Sequence, residues 1–223
     1  MRKSRTLAEE FAISNLSGFL TKLGHKVKTK DEITDNPDWV FSLDNKTIAA
    51  ECTYLTVEKF MQWNNQEFPI DGKTHEIVIP VEPHIWMEKI IRSKAKKIQQ
   101  YKANADASEV WLILHTDPID LCLLETQNEE QERSLIYPLA MTATILRDQH
   151  SFSRIWLVRK QGITEIWTVK NLNKFIGKHQ VGTIWCANAL VKWDSQRGVI
   201  LTETASIIEL PNLDNNFTYQ PFT

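Results

Sequence analysis

Apolar residues recur at helical spacing from residue 5 to residue 23, at Leu7, Ala8, Phe11, Ala12, Leu16, Phe19 and Leu23, and Gly24 closes the run. A short edge strand follows at His25–Lys30. Two β-rich runs, 37–43 and 46–54, flank Asp44-Asn45, a dipeptide that tolerates left-handed backbone. That pattern predicts a hairpin with a two-residue turn. Residues 58–76 are polar, with a turn signal at Asp71-Gly72, and Glu76–Val81 reads as a further strand. A second strong helix is predicted over 84–103, with Met87, Ile90, Ile91, Ile98 and Tyr101 on its apolar face. Glu109–His115 is an apolar run stopped by Asp117-Pro118, the signature of a buried central strand. A helix between the hairpin and that strand implies a crossover packed on the sheet.

Beyond it, 125–133 is acidic and polar, an exposed loop or helix start. Residues 138–149 read as a helix. Strands are expected at 152–160 and 163–170 about Gln161-Gly162, which would set Trp156 opposite Trp167. Further strands are expected at 182–193 and 198–203, before a polar-ended tail at 204–223. The expected class is α/β in the broad α+β sense: a central mixed sheet flanked by helices, in the order α-β-β-β-α-β, with a helix and extra strands after it. We read one domain over 1–223, with a core at 5–120 and an extension or subdomain at 121–223.

Four charged residues conflict with this pattern. A two-residue turn at Asp44-Asn45 sets Leu43 opposite Lys46 and, carried along the ladder, Asp38 opposite Glu51. Cβ atoms of directly opposed residues lie about 4.5–5.5 Å apart, and like charges there destabilise the pair. A divalent cation between the carboxylates would relieve the clash, and oxygen ligands suit Mg²⁺. On a helical wheel Lys94 falls about 40° from Ile90, inside the apolar arc, whereas Lys89, Arg92 and Lys96 lie opposite and Lys97 at the border. An inward ammonium needs an anion, unless it snorkels to the surface or pairs with one structural carboxylate. Glu9 falls within the apolar arc of the first helix and Glu10 outside it. Both also suit a solvated helix N-terminus, where the dipole favours acids.

Pro37-Asp38, followed by Glu51-Cys52-Thr53, resembles the PD-(D/E)XK nuclease superfamily, and the element order over residues 5–120 is similar too. Thr53 stands where that pattern has lysine. The superfamily can supply this lysine from a neighbouring helix, which here points to Lys94. The resemblance implies a restriction-endonuclease-like core and Mg²⁺- or Mn²⁺-dependent phosphodiester hydrolysis. It implies Asp38, Glu51, Glu9 and the Cys52 carbonyl as metal ligands, with Glu10 behind Glu9. Asp38, Glu51, Glu9, Thr53 and Lys94 would be catalytic. Lys97 and Tyr101 resemble, with lysine for glutamine, a Gln-x-x-x-Tyr helix motif of some such nucleases, and would meet nucleic acid. The implied partner is DNA ahead of RNA, and a homodimer stays open. The alternative is a catalytically degenerate relative that binds nucleic acid or protein.

Composition narrows this only slightly. The chain has 223 residues, 42% hydrophobic and 24% charged, which is ordinary for a globular domain. A net charge of −2 excludes a surface that grips nucleic acid all over, so any contact rests on local basic stripes such as Lys26, Lys28, Lys30 or Lys89, Arg92, Lys96, Lys97 and Lys102. Eight tryptophans suit a core, or stacking on bases. Cys52, Cys122 and Cys186 are too far apart for a zinc or disulfide framework, which suits the cytoplasm. The six histidines lack metal-ligand spacing. We see no apolar run long enough for a membrane span and no signal peptide.

Overall fold

The computed structural model describes residues 6–30, 37–65, 75–116, 124, 128–169, 185–194 and 198–209. Helix α1 spans Leu7–Lys22 and opens on a capping box, in which Thr6 and Glu9 satisfy each other's backbone N–H groups. Its buried stripe is Ala8, Ala12, Ile13, Leu16 and Leu20, while Leu7 and Leu23 are exposed. Strands β1 (Val27–Thr29), β2 (Trp39–Leu43) and β3 (Lys46–Tyr54) form an antiparallel meander. The β2–β3 turn places Asp44 at φ 47° and Asn45 at φ 74°, the left-handed pair of a type I′ turn, and sets Leu43 opposite Lys46. Asp44 also pins this turn to β1: its carboxylate accepts from the Lys26 N–H at 2.9 Å and pairs with His25 Nδ1 at 2.6 Å.

After β3 the chain forms α2 (Val57–Trp63), β4 (His75–Val81), α3 (Pro83–Ala95) and α4 (Ile98–Ala105), and returns as β5 (Glu109–His115), parallel to β3. Then come α5 (Glu129–Ile145), β6 (Arg154–Val158), parallel to β5, and β7 (Ile163–Thr168), antiparallel to β6. The result is a six-stranded mixed sheet in the order β1-β2-β3-β5-β6-β7. Strands β8 (Trp185–Asp194) and β9 (Gly198–Glu209) pair with β4 in a separate three-stranded antiparallel sheet.

Both faces of the large sheet are covered. On one, α1 packs over Trp39, Phe41, Ile48, Ala50, Trp111, Ile113 and Trp156. On the other, α2 to α5 pack over Ala49, Val110, Leu112, Leu114, Ile155 and Leu157. Two parallel steps in one direction, β3 to β5 and β5 to β6, put both crossovers on the same face under the right-handed rule.

Several expectations change. The helix expected over 84–103 breaks at residues 96–97, where the Lys97 N–H bonds the Lys94 carbonyl at 3.1 Å in a tighter turn. The break lets Ile98 and Tyr101 bury against the core beneath α4. The fifth helix begins at Glu129, not at 138, and runs through Pro138. Its buried stripe, Leu135, Ile136, Leu139 and Ala143, outweighs the hydrogen bond that proline forfeits. Trp156 faces Glu165 instead of Trp167, because the turn is centred one residue earlier than expected: the Arg159 N–H bonds the Gly162 carbonyl at 2.9 Å and continues the ladder, which leaves Lys160-Gln161 as the two-residue loop. A bulge follows between Ile155 and Trp156. The Arg159 side chain reaches Glu132 at 2.6 Å and the Leu124 carbonyl at 3.0 Å. The polar stretch after residue 56 carries α2, and β9 extends to Glu209. The turn expected at Asp71-Gly72, the acidic turn at 31–36, the residues of Cys122 and Glu125, and the tail beyond 209 lie outside the described residues.

Candidate active site

The β2–β3 register, with Trp39 opposite Ala50, carries on past the end of β2 to set Asp38 against Glu51. The two acids share the sheet face that α3 and α4 cover, since Ala49 on that face alternates with Glu51 and Thr53. Asp38 is half-buried, and its Oδ2 accepts from the Cys52 N–H at 2.8 Å. Glu51 is only 4% exposed, and the Lys94 ammonium donates to its Oε1 in a direct ion pair. Thus the lysine that the helical period turned inward meets one of the acids that the hairpin turned against each other.

Burial, followed by the Glu51 charge, pushes the Asp38 carboxyl from 3.8 up to about 6. Glu9 adds to the rise, while the Cys52 N–H and Lys94 oppose it. Tyr101 lies beneath the same carboxylate. Burial, then its contact with Glu51, pushes its phenol well above the ordinary tyrosine range. The Tyr101 hydroxyl is nonetheless left without a hydrogen bond of good geometry, and the Thr53 hydroxyl is likewise buried and unpartnered.

The remaining expected residues fall as follows. Glu9 is half-buried and its Oε2 accepts from the Thr6 N–H at 2.8 Å, so the helix cap accounts for its carboxylate even though its charge reaches Asp38. Glu10 is exposed in the same turn. Cys52, a buried free thiol, contributes its main chain to Asp38. Lys97 is exposed at the start of α4. Tyr101 is fully buried, with its ring in the core and against Glu51. Of the basic stripe, Arg92 is engaged by Glu88 at 2.7 Å and Gln149 at 2.5 Å, and Lys89 by the Trp63 carbonyl. Lys26, Lys28 and Lys96 are exposed.

No protein-family model matches the chain, and no curated protein or solved structure matches it.

Two residues at this end of β3 escaped the sequence pattern. Lys59, on α2, is half-buried and donates from Nζ to the Tyr54 carbonyl at 2.7 Å. Burial, then the neighbouring Lys94 ammonium, lowers its pKa, against the pull of Glu51, Glu58 and Glu9. The signal that could have found it is Thr56, an N-cap residue three positions ahead of Lys59 and just before the apolar pair Phe60-Met61. His115 ends β5, has no exposed surface and stacks on Tyr54 with ring centroids 5.3 Å apart. Burial, with Lys59 adding, holds its imidazole down at about 3, and neither ring nitrogen has a partner.

Among the described residues, no group of three or more His, Cys, Asp and Glu side chains is placed to hold a metal ion. The acidic part of this site is a pair of carboxylates, and each already has a donor. No described helix is long and apolar enough to cross a membrane.

Proposed function

We propose that the chain is a metal-dependent nuclease that hydrolyses phosphodiester bonds, in DNA ahead of RNA. One observation carries the reading. Asp38, Glu51 and Lys94, far apart in sequence, meet on one face of the sheet where two acids crowd each other and a lysine enters from a helix. Supporting it, the order α1, β1 to β3, α3 and α4, β5, with β5 parallel to β3, resembles the restriction-endonuclease-like core.

The donors fit Mg²⁺ or Mn²⁺. Mg²⁺ is commonly held by one or two carboxylates together with waters and substrate phosphate. A carboxyl such as Asp38, whose ionisation the Glu51 charge makes more costly, suits that demand. Asp38 and Glu51 would hold the ion, aided by the Cys52 carbonyl. When bound, such an ion supplies Lewis-acid activation of the phosphate and a more acidic water.

The chain's own residues orient these parts. The Cys52 N–H fixes Asp38, and Lys94 aims Glu51. The unpartnered Thr53 hydroxyl, two residues along the strand from Glu51, is buried and would hold a water within the site. Purified protein with Mg²⁺ is expected to nick plasmid DNA, and chelation or Asp38→Ala to abolish nicking. Undiminished cleavage by Asp38→Ala would overturn the proposal.

A second reading, a degenerate nuclease that binds without cutting, is favoured by Thr53 in the lysine position and by the commitment of Lys94 to Glu51. It expects DNA binding without metal-dependent turnover, unchanged by Glu51→Ala.

A further inference from the structure

Lys59 is held in place by its surroundings. Its helix is fastened by buried Phe60 and Met61, and Phe60 packs edge-on against Trp86 at 5.8 Å and Trp63 at 5.2 Å. The Thr56 hydroxyl accepts from the Lys59 N–H at 3.3 Å. The side chain turns back to the end of β3, where its ammonium takes the Tyr54 carbonyl. An ammonium has three protons to donate, and this one forms no ion pair among the described residues. It stands near a second ammonium, that of Lys94, which is already neutralised by Glu51.

A half-buried cation beside another cation, without an anion of its own, costs stability. An anion brought from outside would remove that cost. Of the acids whose charges reach it, Glu51 is engaged by Lys94 and Glu9 by the α1 cap, while Glu58, its neighbour on α2, is exposed and forms no ion pair with it.

We propose that Lys59 is the phosphate-gripping residue of this site, holding one backbone phosphate of a nucleic-acid strand beside the Asp38–Glu51 pair while Lys94 is occupied in positioning Glu51. The proposal rests on reading the site as one that takes a phosphodiester backbone. It divides the roles of the two lysines: Lys94 acts through Glu51, and Lys59 touches the substrate.

The test is equilibrium binding of a short fluorescein-labelled DNA duplex in EDTA, followed by anisotropy over a range of salt. Each phosphate contact contributes a slope of roughly −0.9 to log K against log salt on duplex DNA. Lys59→Gln is therefore expected to reduce the slope by about 0.9. With the 1 M intercept unchanged, affinity at 0.1 M salt falls roughly eightfold by the same relation. Lys59→Arg is expected to keep the wild-type slope. Lys46→Gln, at the far end of β3 and paired with Glu109, serves as the control and is expected to change nothing.

A parallel Mg²⁺ cleavage assay separates the two ideas. Salt-dependent binding that needs Lys59, in a protein that does not cut, sinks the nuclease reading and supports this one. Cleavage by the wild type, with an unchanged slope in Lys59→Gln, overturns this one alone. Loss of slope in Lys59→Arg as well as in Lys59→Gln would mark a structural lysine and also overturn it. A wild-type protein that neither binds nor cuts defeats both.

Discussion

Asp38→Asn is expected to stabilise the metal-free protein, by an amount that pH controls. The folded chain holds this carboxyl at about 6 against an ordinary 3.8, because burial and then the Glu51 charge disfavour its ionised form. The difference is about 2 pH units, and each unit corresponds to about 1.36 kcal/mol, so ionising Asp38 costs the fold up to about 3 kcal/mol. The sign follows from proton counting. Between pH 3.8 and about 6 the folded state binds the proton more tightly than the unfolded chain. Stability from this group is thus fully present below 3.8, falls as pH rises through that window, and is flat above it.

Asparagine carries no such penalty, and its carbonyl oxygen can still accept from the Cys52 N–H. The pull of that hydrogen bond on the ionised form is already contained in the value of about 6. A gain of up to about 3 kcal/mol at pH 7 is expected, shrinking towards nothing near pH 4. Urea unfolding in EDTA across that range measures it. Mg²⁺ at a hundred times its Kd should stabilise the wild type by about 2.7 kcal/mol and Asp38→Asn far less. An Asp38→Asn protein that is less stable at pH 7, or whose gain is the same at pH 4, would refute the crowding of the two acids.

Lys94→Met leaves the Glu51 carboxylate, 4% exposed, without its cation. A loss of roughly 3 kcal/mol is expected, partly recovered by adding Glu51→Gln, and a double-mutant cycle showing no coupling would refute it. His115 is held at about 3 against 6.5, so the unfolded state binds its proton first. Its contribution to stability is lost as pH falls below 6.5, by up to about 1.4 kcal/mol per unit, opposite in sign to Asp38. His115→Leu should flatten that acid limb in a pH series of thermal melts. Tyr101→Phe removes a buried hydroxyl that sits against Glu51 without a well-aligned hydrogen bond, and is expected to change stability by less than about 1 kcal/mol while leaving the salt dependence of DNA binding unchanged. A reduced salt slope in that variant would place the ring on the substrate path.

Much of this molecule is written locally. Asp44-Asn45 prescribes its turn because few other dipeptides sit comfortably with both residues at positive φ, and the turn dictates the register that opposes Asp38 to Glu51. Helical period alone turns Lys94 inward with Ile90 and Ile91, and an unbroken apolar run makes β5 central. What the chain could not declare by itself depends on contacts between distant segments. The course of α5 through Pro138 depends on packing against α3. The β6–β7 turn forms at Lys160-Gln161, one residue before the Gln161-Gly162 dipeptide that marks it in the sequence, and the adjoining Arg159 side chain is tied to the distant Glu132. The partner of β4 lies more than a hundred residues away, in β8. The same holds within the site. That Glu51 takes Lys94 as its cation, that Glu9 serves a helix cap, and that Lys59 arrives from α2 were decided by tertiary structure. Charge pairing follows distance in space, and a one-dimensional pattern carries distance only along a single helix or a single hairpin.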